Sequence, residues 1–188
     1  MEKLFIYDLE TTGVMHWKNG IHQISGMIVI EGEIKETFNF KVQPNPLAII
    51  EKGALDVANV TLEQIQSYPP IKEVYSQIIE MISKYVDKYD KKDKFHLMGY
   101  NNSSFDNQFL RAFFVQNHDN YFGSWFWSDT IDVMVLASQF LRSNRAAMEN
   151  FKLMTVAKTL GEEIDESKLH DAFYDIQLTY SVYKKIAA

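Results

Sequence analysis

The chain of 188 residues contains no cysteine. Disulfide bonds, thiolate zinc sites and cysteine nucleophiles are therefore excluded, and any chemistry must use oxygen and imidazole groups. Long apolar runs are also lacking, because the N-terminal sequence MEKLFIYDLE reaches charged residues after only a few apolar positions. We expect neither a signal peptide nor a membrane-spanning segment. These absences predict a soluble, cytoplasmic protein that makes no membrane contact.

Positive charge is scarce, with 19 Lys and Arg against 25 Asp and Glu and a net charge of −6. A protein that neutralises many phosphates of a duplex would need more basic residues. Any nucleic-acid contact is therefore expected to be local, directed at chain ends and weakly processive. Hydrophobic residues make up 46% of the chain and aromatics 14%, which is ample for one core. We expect a single domain over residues 1–188, without repeats or low-complexity linkers.

Two carboxylates lie close together near the N-terminus, in the sequence FIYDLE. Because side chains alternate along a strand, Asp8 and Glu10 project from the same face, while Leu9 points to the other. Such a pair can hold a hard metal ion through oxygen. The alternative is a solvated acidic residue at a strand end, but Asp8 follows the apolar run LFIY, where an unpaired buried charge is costly.

Three further residues complete a candidate site: Asp106 in YNNSSFDNQFL, and His170 with Asp175 in LHDAFYDIQLT. Asp106 has two alternative roles, as the last residue of a capping box begun by Ser103 or as a carboxylate directed from a helix's first turn towards a ligand. A separation of five residues leaves His170 and Asp175 about 140° apart on a helix. We therefore place Asp175 in the last helix and His170 in the preceding loop, where the alternative is an ordinary exposed histidine. Together the five residues indicate a two-metal phosphodiesterase site.

The hydrophobic pattern predicts a mixed sheet of about five strands flanked by helices, an α/β fold. A hairpin turned at Glu31, Gly32 and Glu33 joins the second and third strands. The predicted strands cover residues 3–9, 21–30, 34–42 and FHLMGYN from Phe95, with a short strand near Trp125–Trp127. The predicted helices cover 71–86, after Pro69 and Pro70, and about 104–117, 130–141, 150–160 and 171–186.

The order of motifs resembles the DnaQ-like (DEDD) 3′-to-5′ exonuclease family, in the subgroup with a histidine five residues before the last aspartate. The chain is similar to proofreading exonucleases of the DNA polymerase III ε-subunit type. The segments that carry this resemblance are LETTG, HQISGMIVIEGEI, FKVQPN, ALDVANVT, LMGYNNSSFDNQFL, SDTIDVMVLA, FKLMTVAKTLG and LHDAFYDIQLTYSVY. The resemblance implies a ribonuclease H-like fold.

The resemblance also implies the cofactors and the role of each ligand. Two divalent cations, Mg²⁺ or Mn²⁺, are expected. Asp8, Glu10 and Asp175 would hold one of them, and Asp8 with Asp106 would hold the other. His170 would take the proton from the attacking water.

Substrate contacts are expected from a second group of residues. By resemblance these are Thr11, Thr12 and Gly13, which follow Glu10 and could alternatively form only a tight turn, and Asn101 and Asn102, which precede the Asp106 motif. Tyr100, directly before them, could stack on a base or belong to the core. Trp17, in the loop MHWKNG, is a candidate for stacking on a base. The chain departs from many members of the family at Tyr100, where they have histidine, and at Ala58-Asn59, where they have a histidine-glycine pair.

Three functions follow as hypotheses. The first is a 3′-to-5′ exonuclease that removes nucleoside 5′-monophosphates from single-stranded DNA ends. The second is an RNA-directed exonuclease of the same family, since both would use the same five residues and differ in contacts to the 2′-hydroxyl. The third is a binding subunit without activity that associates with a DNA polymerase. The intact five-residue set favours an enzyme.

Overall fold

The computed structural model describes residues 1–165 and 172–187. A five-stranded sheet has the strand order β3-β2-β1-β4-β5. Strands β1, β2 and β3 pair antiparallel, whereas β4 and β5 run parallel to β1. The strands are β1 (Lys3–Thr11), β2 (Ile21–Ile30), β3 (Glu33–Lys41), β4 (Phe95–Gly99) and β5 (Phe126–Asp132).

Helices cover both faces of this sheet. They are α1 (Lys52–Ala58), α2 (Leu62–Gln66), α3 (Ile71–Ser83), α4 (Asp106–Gln116), α5 (Phe122–Trp125), α6 (Val133–Phe140), α7 (Leu153–Thr159) and α8 (Ala172–Ile186), with a 3₁₀ helix at Arg145–Ala147. Helices α3 and α4 share one hydrophobic cluster with the sheet, and helices α6, α7 and α8 share the other.

Side chains alternate between the two faces of β1, so this strand contributes residues to both hydrophobic clusters. Phe5, Tyr7 and Leu9 face α3 and α4, whereas Leu4 and Ile6 face α6, α7 and α8. The second face continues with the acidic pair at positions 8 and 10. The apolar residues thus anchor β1, and the two carboxylates emerge at the C-terminal end of a buried strand.

The predicted α/β class is confirmed: the protein has a mixed five-stranded sheet flanked by helices. The hairpin turn also forms, with positive φ angles at Glu31 (50°) and Gly32 (81°), as a two-residue turn between twisted strands requires.

Several predicted boundaries were wrong. Residues 130–132 belong to β5 rather than to a helix, and β5 is longer than the short strand predicted near Trp125. Helix α3 ends at Ser83 instead of residue 86. Strand β4 ends at Gly99, because Asn101 adopts a left-handed conformation (φ 64°) that leaves the sheet. No helix in residues 1–165 or 172–187 has the length and apolar character needed to cross a membrane.

Candidate active site

Asp8 lies at the centre of an acidic cluster. Its side chain is only partly exposed, and burial is the main reason why the pKa of this carboxyl is raised well above its ordinary value. The negative charges of Asp106, Glu10 and Asp175 raise the pKa further, in that order. The fold therefore brings the four predicted acidic residues near one another, from strand β1 and from the first turns of helices α4 and α8.

Asp106 joins helix α4 to strand β1. It is buried, and its Oδ1 accepts a hydrogen bond from the backbone N–H of Leu9 at 3.2 Å. Burial raises the pKa of Asp106 to about 7, partly opposed by hydrogen bonds from its own backbone N–H and from that of Leu9. The capping-box alternative does not form, since α4 has Phe105 at its N-cap and no capping side chain. The carboxylate is instead directed towards β1.

Asp175 approaches Asp8 across a small cleft. The cleft has a volume of about 170 Å³, and its lining residues are Ile6, Tyr7, Asp8, Tyr100, Leu153, Asp175, Ile176 and Thr179. Asp175 lies in the first turn of α8, as predicted. His170, the fifth predicted residue, lies outside the described residues.

The chemistry of this donor set fits divalent cations. Buried carboxylates that repel one another need a neutralising partner, and carboxylate oxygen suits Mg²⁺ or Mn²⁺. Within the described ranges, no group of three or more His, Asp or Glu side chains is arranged closely enough to hold a metal ion. Mg²⁺ commonly takes one or two carboxylates together with waters and substrate phosphate.

The side chain of Asn19 stabilises the turn that follows Glu10. The sequence analysis did not identify this residue. Asn19 is buried; its Oδ1 accepts from the N–H of Met15 at 2.9 Å, and its Nδ2 donates to the carbonyl oxygen of Ile49 at 2.8 Å. Thr12 is also buried and donates its hydroxyl to the Ile49 carbonyl at 2.9 Å. Of the predicted turn contacts, Thr12 and Gly13 are buried, while Thr11 remains partly exposed.

The predicted contacts before Asp106 also differ in exposure. Tyr100 lines the cleft, and its hydroxyl donates to the carbonyl oxygen of Phe151 at 2.7 Å. Asn102 is buried and donates to the hydroxyl of Thr130 at 3.1 Å, so its amide supports the loop from inside. Asn101 is exposed.

Asp132 organises this same loop. Its carboxylate accepts from the N–H groups of Asn101 (3.0 Å) and Ser103 (3.1 Å). It also caps α6 through the N–H of Met134 at 3.0 Å. Asp132 thus fixes the chain that leads from β4 to Asp106.

Trp17 is 73% exposed. Its ring meets that of His16 edge to face, with 5.0 Å between centroids. Trp125, by contrast, is buried in the core. Trp17 therefore presents a free aromatic surface on the loop that follows the Thr11–Gly13 turn.

A polar group on strands β2 and β3 was also missed. Gln23 pairs with Glu10 on one side and with Lys41 on the other, and Ser25 pairs with Asp8 and Asn39. We call Gln23, Ser25, Asn39 and Lys41 the cross-strand polar ladder. The sequence contained a signal for it, since Gln23 and Ser25 interrupt the apolar strand IHQISGMIVI two residues apart.

Comparisons with known proteins agree with this architecture. The chain is 23% identical over 182 residues to the PolC-type DNA polymerase III of Mycoplasmopsis pulmonis, covering 97% of this chain and 11% of that protein. Escherichia coli exonuclease I in complex with a dT13 oligonucleotide superposes with a TM-score of 0.78 at 20% identity, covering 100% of this chain and 41% of that one. The zinc-bound form of the E. coli exonuclease I complex with single-stranded DNA gives 0.77 at 20% identity, covering 99% and 40%.

The chain thus spans about a tenth of the polymerase and two fifths of exonuclease I. The structural similarity confirms the predicted ribonuclease H-like exonuclease fold. A family model described as exonuclease, RNase T, matches residues 5–183, which include all five predicted catalytic positions. The chain therefore belongs to the RNase T family of exonucleases, as the resemblance to DnaQ-like exonucleases predicted.

Proposed function

We propose that the protein is a metal-dependent exonuclease that hydrolyses single-stranded DNA from the 3′ end and releases nucleoside 5′-monophosphates. The observation that carries this proposal is the gathering of four carboxylates at one end of β1. Asp8 and Asp175 line the same cleft, and Asp106 accepts a hydrogen bond from Leu9, which lies between Asp8 and Glu10. An acidic cluster at the end of a buried strand, in a member of an exonuclease family, is suited to phosphodiester hydrolysis.

Each carboxylate has a proposed role. Asp8, Glu10 and Asp175 would hold one divalent cation, and Asp8 and Asp106 would hold a second, with Mg²⁺ or Mn²⁺ as the ions. Cations held by these carboxylates would supply activation of a water and stabilisation of negative charge on the reacting oxygens. The hydrogen bond from Leu9 N–H fixes the orientation of Asp106 before any ligand arrives.

His170 is the proposed general base. It would accept the proton of the attacking water, as the histidine in this subgroup of exonucleases is expected to do. An unperturbed imidazole has a pKa of about 6.5, so the neutral, accepting form dominates above that pH. We therefore expect the cleavage rate to rise with pH through the titration of His170.

The substrate end is proposed to bind between the cleft and the Thr11–Gly13 turn. Tyr100 supplies one wall of the cleft, and its hydroxyl is already engaged by Phe151, which leaves the ring as the contact surface. Trp17 offers a stacking face that any base can use. DNA is favoured because exonuclease I, of the same fold, is described with bound DNA oligonucleotides.

The test is degradation of a 5′-labelled single-stranded DNA oligomer with Mg²⁺ or Mn²⁺. The native protein should produce a ladder that shortens from the 3′ end, and the ladder should be absent with Asp8→Asn and His170→Ala. Asp129→Asn is the matched control, because Asp129 is exposed on strand β5. Its activity should equal that of the native protein.

Two outcomes would redirect the proposal. Faster cleavage of a matched RNA oligomer would assign the RNA-directed alternative. Absence of cleavage on both substrates, with a folded protein, would remove the nuclease proposal altogether.

A polymerase-associated role is a second candidate, favoured by similarity to a PolC-type DNA polymerase III over 97% of this chain. In that case the protein should co-purify with a replicative polymerase, and Asp8→Asn should not weaken the association. Cleavage and association are independent readouts, so the two candidates can be separated.

A further inference from the structure

The cross-strand polar ladder connects the acidic cluster to the far edge of the sheet. Glu10 on β1, Gln23 on β2 and Lys41 on β3 are paired in one row across three strands. Paired residues of neighbouring strands project from the same face. Lys41 therefore lies on the face that carries the acidic cluster, about 10 Å across the sheet from the backbone of Glu10.

Hydrogen bonds fix the direction of the Lys41 side chain. Its Nζ donates to Oε1 of Gln23, whose Nε2 donates in turn to the hydroxyl of Ser25 and to Oδ1 of Asn39, both at 3.0 Å. Gln23 and Ser25 are buried, so the acceptor is held firmly. Because that acceptor is a neutral amide oxygen, the bond orients the ammonium group towards the site without cancelling its charge.

The ammonium group of Lys41 is partly removed from water, which is energetically unfavourable for a charged group. The side chain is half-buried, and burial lowers its pKa, while the charge of Glu10 partly opposes that effect. Lysine usually keeps its ammonium group in bulk water. A lysine that is partly desolvated beside a phosphodiesterase cluster is well suited to contact a substrate phosphate.

An aromatic ring adjoins this ammonium group. Nζ of Lys41 lies 5.8 Å from the centroid of the Tyr68 ring. The segment that carries Tyr68 is tied to the end of β3 by Gln43, whose N–H donates to the carbonyl oxygen of Pro69 at 2.8 Å and whose Nε2 donates to that of Gln66 at 3.2 Å. A cation and a half-exposed ring are thus held side by side at the end of the sheet.

We propose that Lys41 and Tyr68 form a subsite for a nucleotide of the bound strand other than the one being cleaved. The ammonium group of Lys41 binds a backbone phosphate, and the ring of Tyr68 stacks on a base. This inference rests on the proposed function. The separation of Lys41 from Glu10 across two strand spacings makes the subsite distinct from the position of the scissile phosphate.

Binding can be measured without cleavage. Fluorescence anisotropy of a labelled dT oligomer would be followed in the Asp8→Asn protein, with and without the additional substitutions Lys41→Gln, Lys41→Arg and Tyr68→Leu. We expect Lys41→Gln to weaken binding about 5- to 20-fold and to reduce the slope of log affinity against log salt by about 0.7, the value for one phosphate contact on a single strand. Lys41→Arg should largely retain binding, and Tyr68→Leu should weaken it without changing the salt slope.

The matched control is Lys35→Gln in the same Asp8→Asn protein. Lys35 lies on β3 as well, near its other end, where it forms an ion pair with Glu33. Its replacement removes the same charge and should leave affinity and salt slope unchanged. Binding of the mononucleotide dTMP should not respond to Lys41→Gln, because a mononucleotide cannot reach both sites.

Three results would overturn the subsite. They are unchanged oligomer affinity in both Lys41→Gln and Tyr68→Leu, an equal loss for dTMP and the oligomer, or an equal loss in Lys35→Gln. If DNA is still cleaved by the Lys41→Gln protein carrying the native Asp8, with unchanged oligomer binding, only this inference fails. If no protein, native or variant, binds or cleaves any oligomer, the proposed function fails with it.

Discussion

Oδ1 of Asp106 accepts a hydrogen bond from the backbone N–H of Leu9, 3.2 Å away. Leu9 stands between Asp8 and Glu10 on strand β1, so this bond connects the first turn of α4 to the strand between its two carboxylates. The three acidic residues are therefore held together by backbone geometry. The hydrogen bond to Leu9 keeps the carboxyl of Asp106 near those of Asp8 and Glu10, although the negative charges of these groups repel one another.

Two substitutions of Asp106 should distinguish the effect of its negative charge from the effect of its hydrogen bond to Leu9. Asp106→Asn keeps an oxygen acceptor for Leu9 but removes the charge, so cleavage should fall at least about 100-fold, as expected for loss of a metal ligand. Its stability in metal-free buffer should equal or exceed that of the native protein, because a buried, repelled carboxylate has been removed. Urea unfolding and cleavage of labelled DNA measure the two effects.

Asp106→Ala is the companion variant. It leaves the N–H of Leu9 without its acceptor and should be about 1–3 kcal/mol less stable than Asp106→Asn. Near-native cleavage by either variant would contradict the assignment of Asp106 as a ligand.

The conformation of the Thr11–Gly13 turn should depend on the side chain of Asn19. Asn19→Ala removes the acceptor for Met15 and the donor to Ile49, and the free energy of unfolding should fall by about 2–3 kcal/mol. Binding of dTMP should weaken as well, because the turn loses its support. Asn120→Ala, at an exposed asparagine, serves as the control and should change neither quantity. Native stability in Asn19→Ala would show that the turn does not depend on this side chain.

The sequence predicted those parts of the fold that have a regular hydrophobic period. Strand β1, the hairpin and α3 follow from alternation, a turn signal and a 3.6-residue period. The predicted strand near Trp125 was shorter than β5 because Ser128 and Asp129 are polar and interrupt the apolar pattern. Both residues are exposed, as is common in a strand at the edge of a sheet. Helices α1 and α2 were missed because 7 and 5 residues are too few to show a period.

The parts of the candidate site that were predictable depend on local sequence pattern or on the order of motifs along the chain. The spacing of Asp8 and Glu10 fixes their common face, and Asp175 falls in a helix with a clear pattern. The burial of Thr12 and Asn102 was not predictable, because it depends on Ile49 and Thr130, residues from distant segments that meet only in the folded chain. Lys41 likewise acquires its neighbours through strand register.

Stability should depend on pH through His22. Burial lowers the pKa of this imidazole to about 4, and the charge of Lys41 adds to the effect. The unfolded chain, with a histidine pKa of about 6.5, binds the proton more readily, so stability falls as pH drops from 6.5 towards 4. We expect the contribution of His22 to decrease by about 2 kcal/mol between pH 7 and pH 5.

Urea unfolding at a series of pH values would measure this contribution as the difference between the native protein and His22→Leu. His118→Asn is the control and should follow the native curve. An unchanged pH dependence in His22→Leu would rule out His22 as the titrating group.

Trp17 should contribute to substrate binding but not to stability. Its indole is 73% exposed, so Trp17→Ala should leave the unfolding free energy nearly unchanged. Loss of a stacked base should reduce oligomer affinity by about 1–3 kcal/mol, and Trp17→Phe should restore most of it because a ring remains. Anisotropy with a dT oligomer would measure the loss, and equal affinity in Trp17→Ala would exclude stacking at this position.

Cleavage should be weakly processive. With 19 Lys and Arg against 25 Asp and Glu, the chain has few basic residues with which to retain a strand after each cut. When enzyme and labelled DNA are mixed and a large excess of unlabelled competitor is added together with Mg²⁺, most labelled strands should lose only a few nucleotides. Adding the competitor before the enzyme controls for the efficiency of the trap. Long runs of degradation from one binding event would instead require continuous contacts along the strand, far beyond the acidic cluster and the Lys41 subsite.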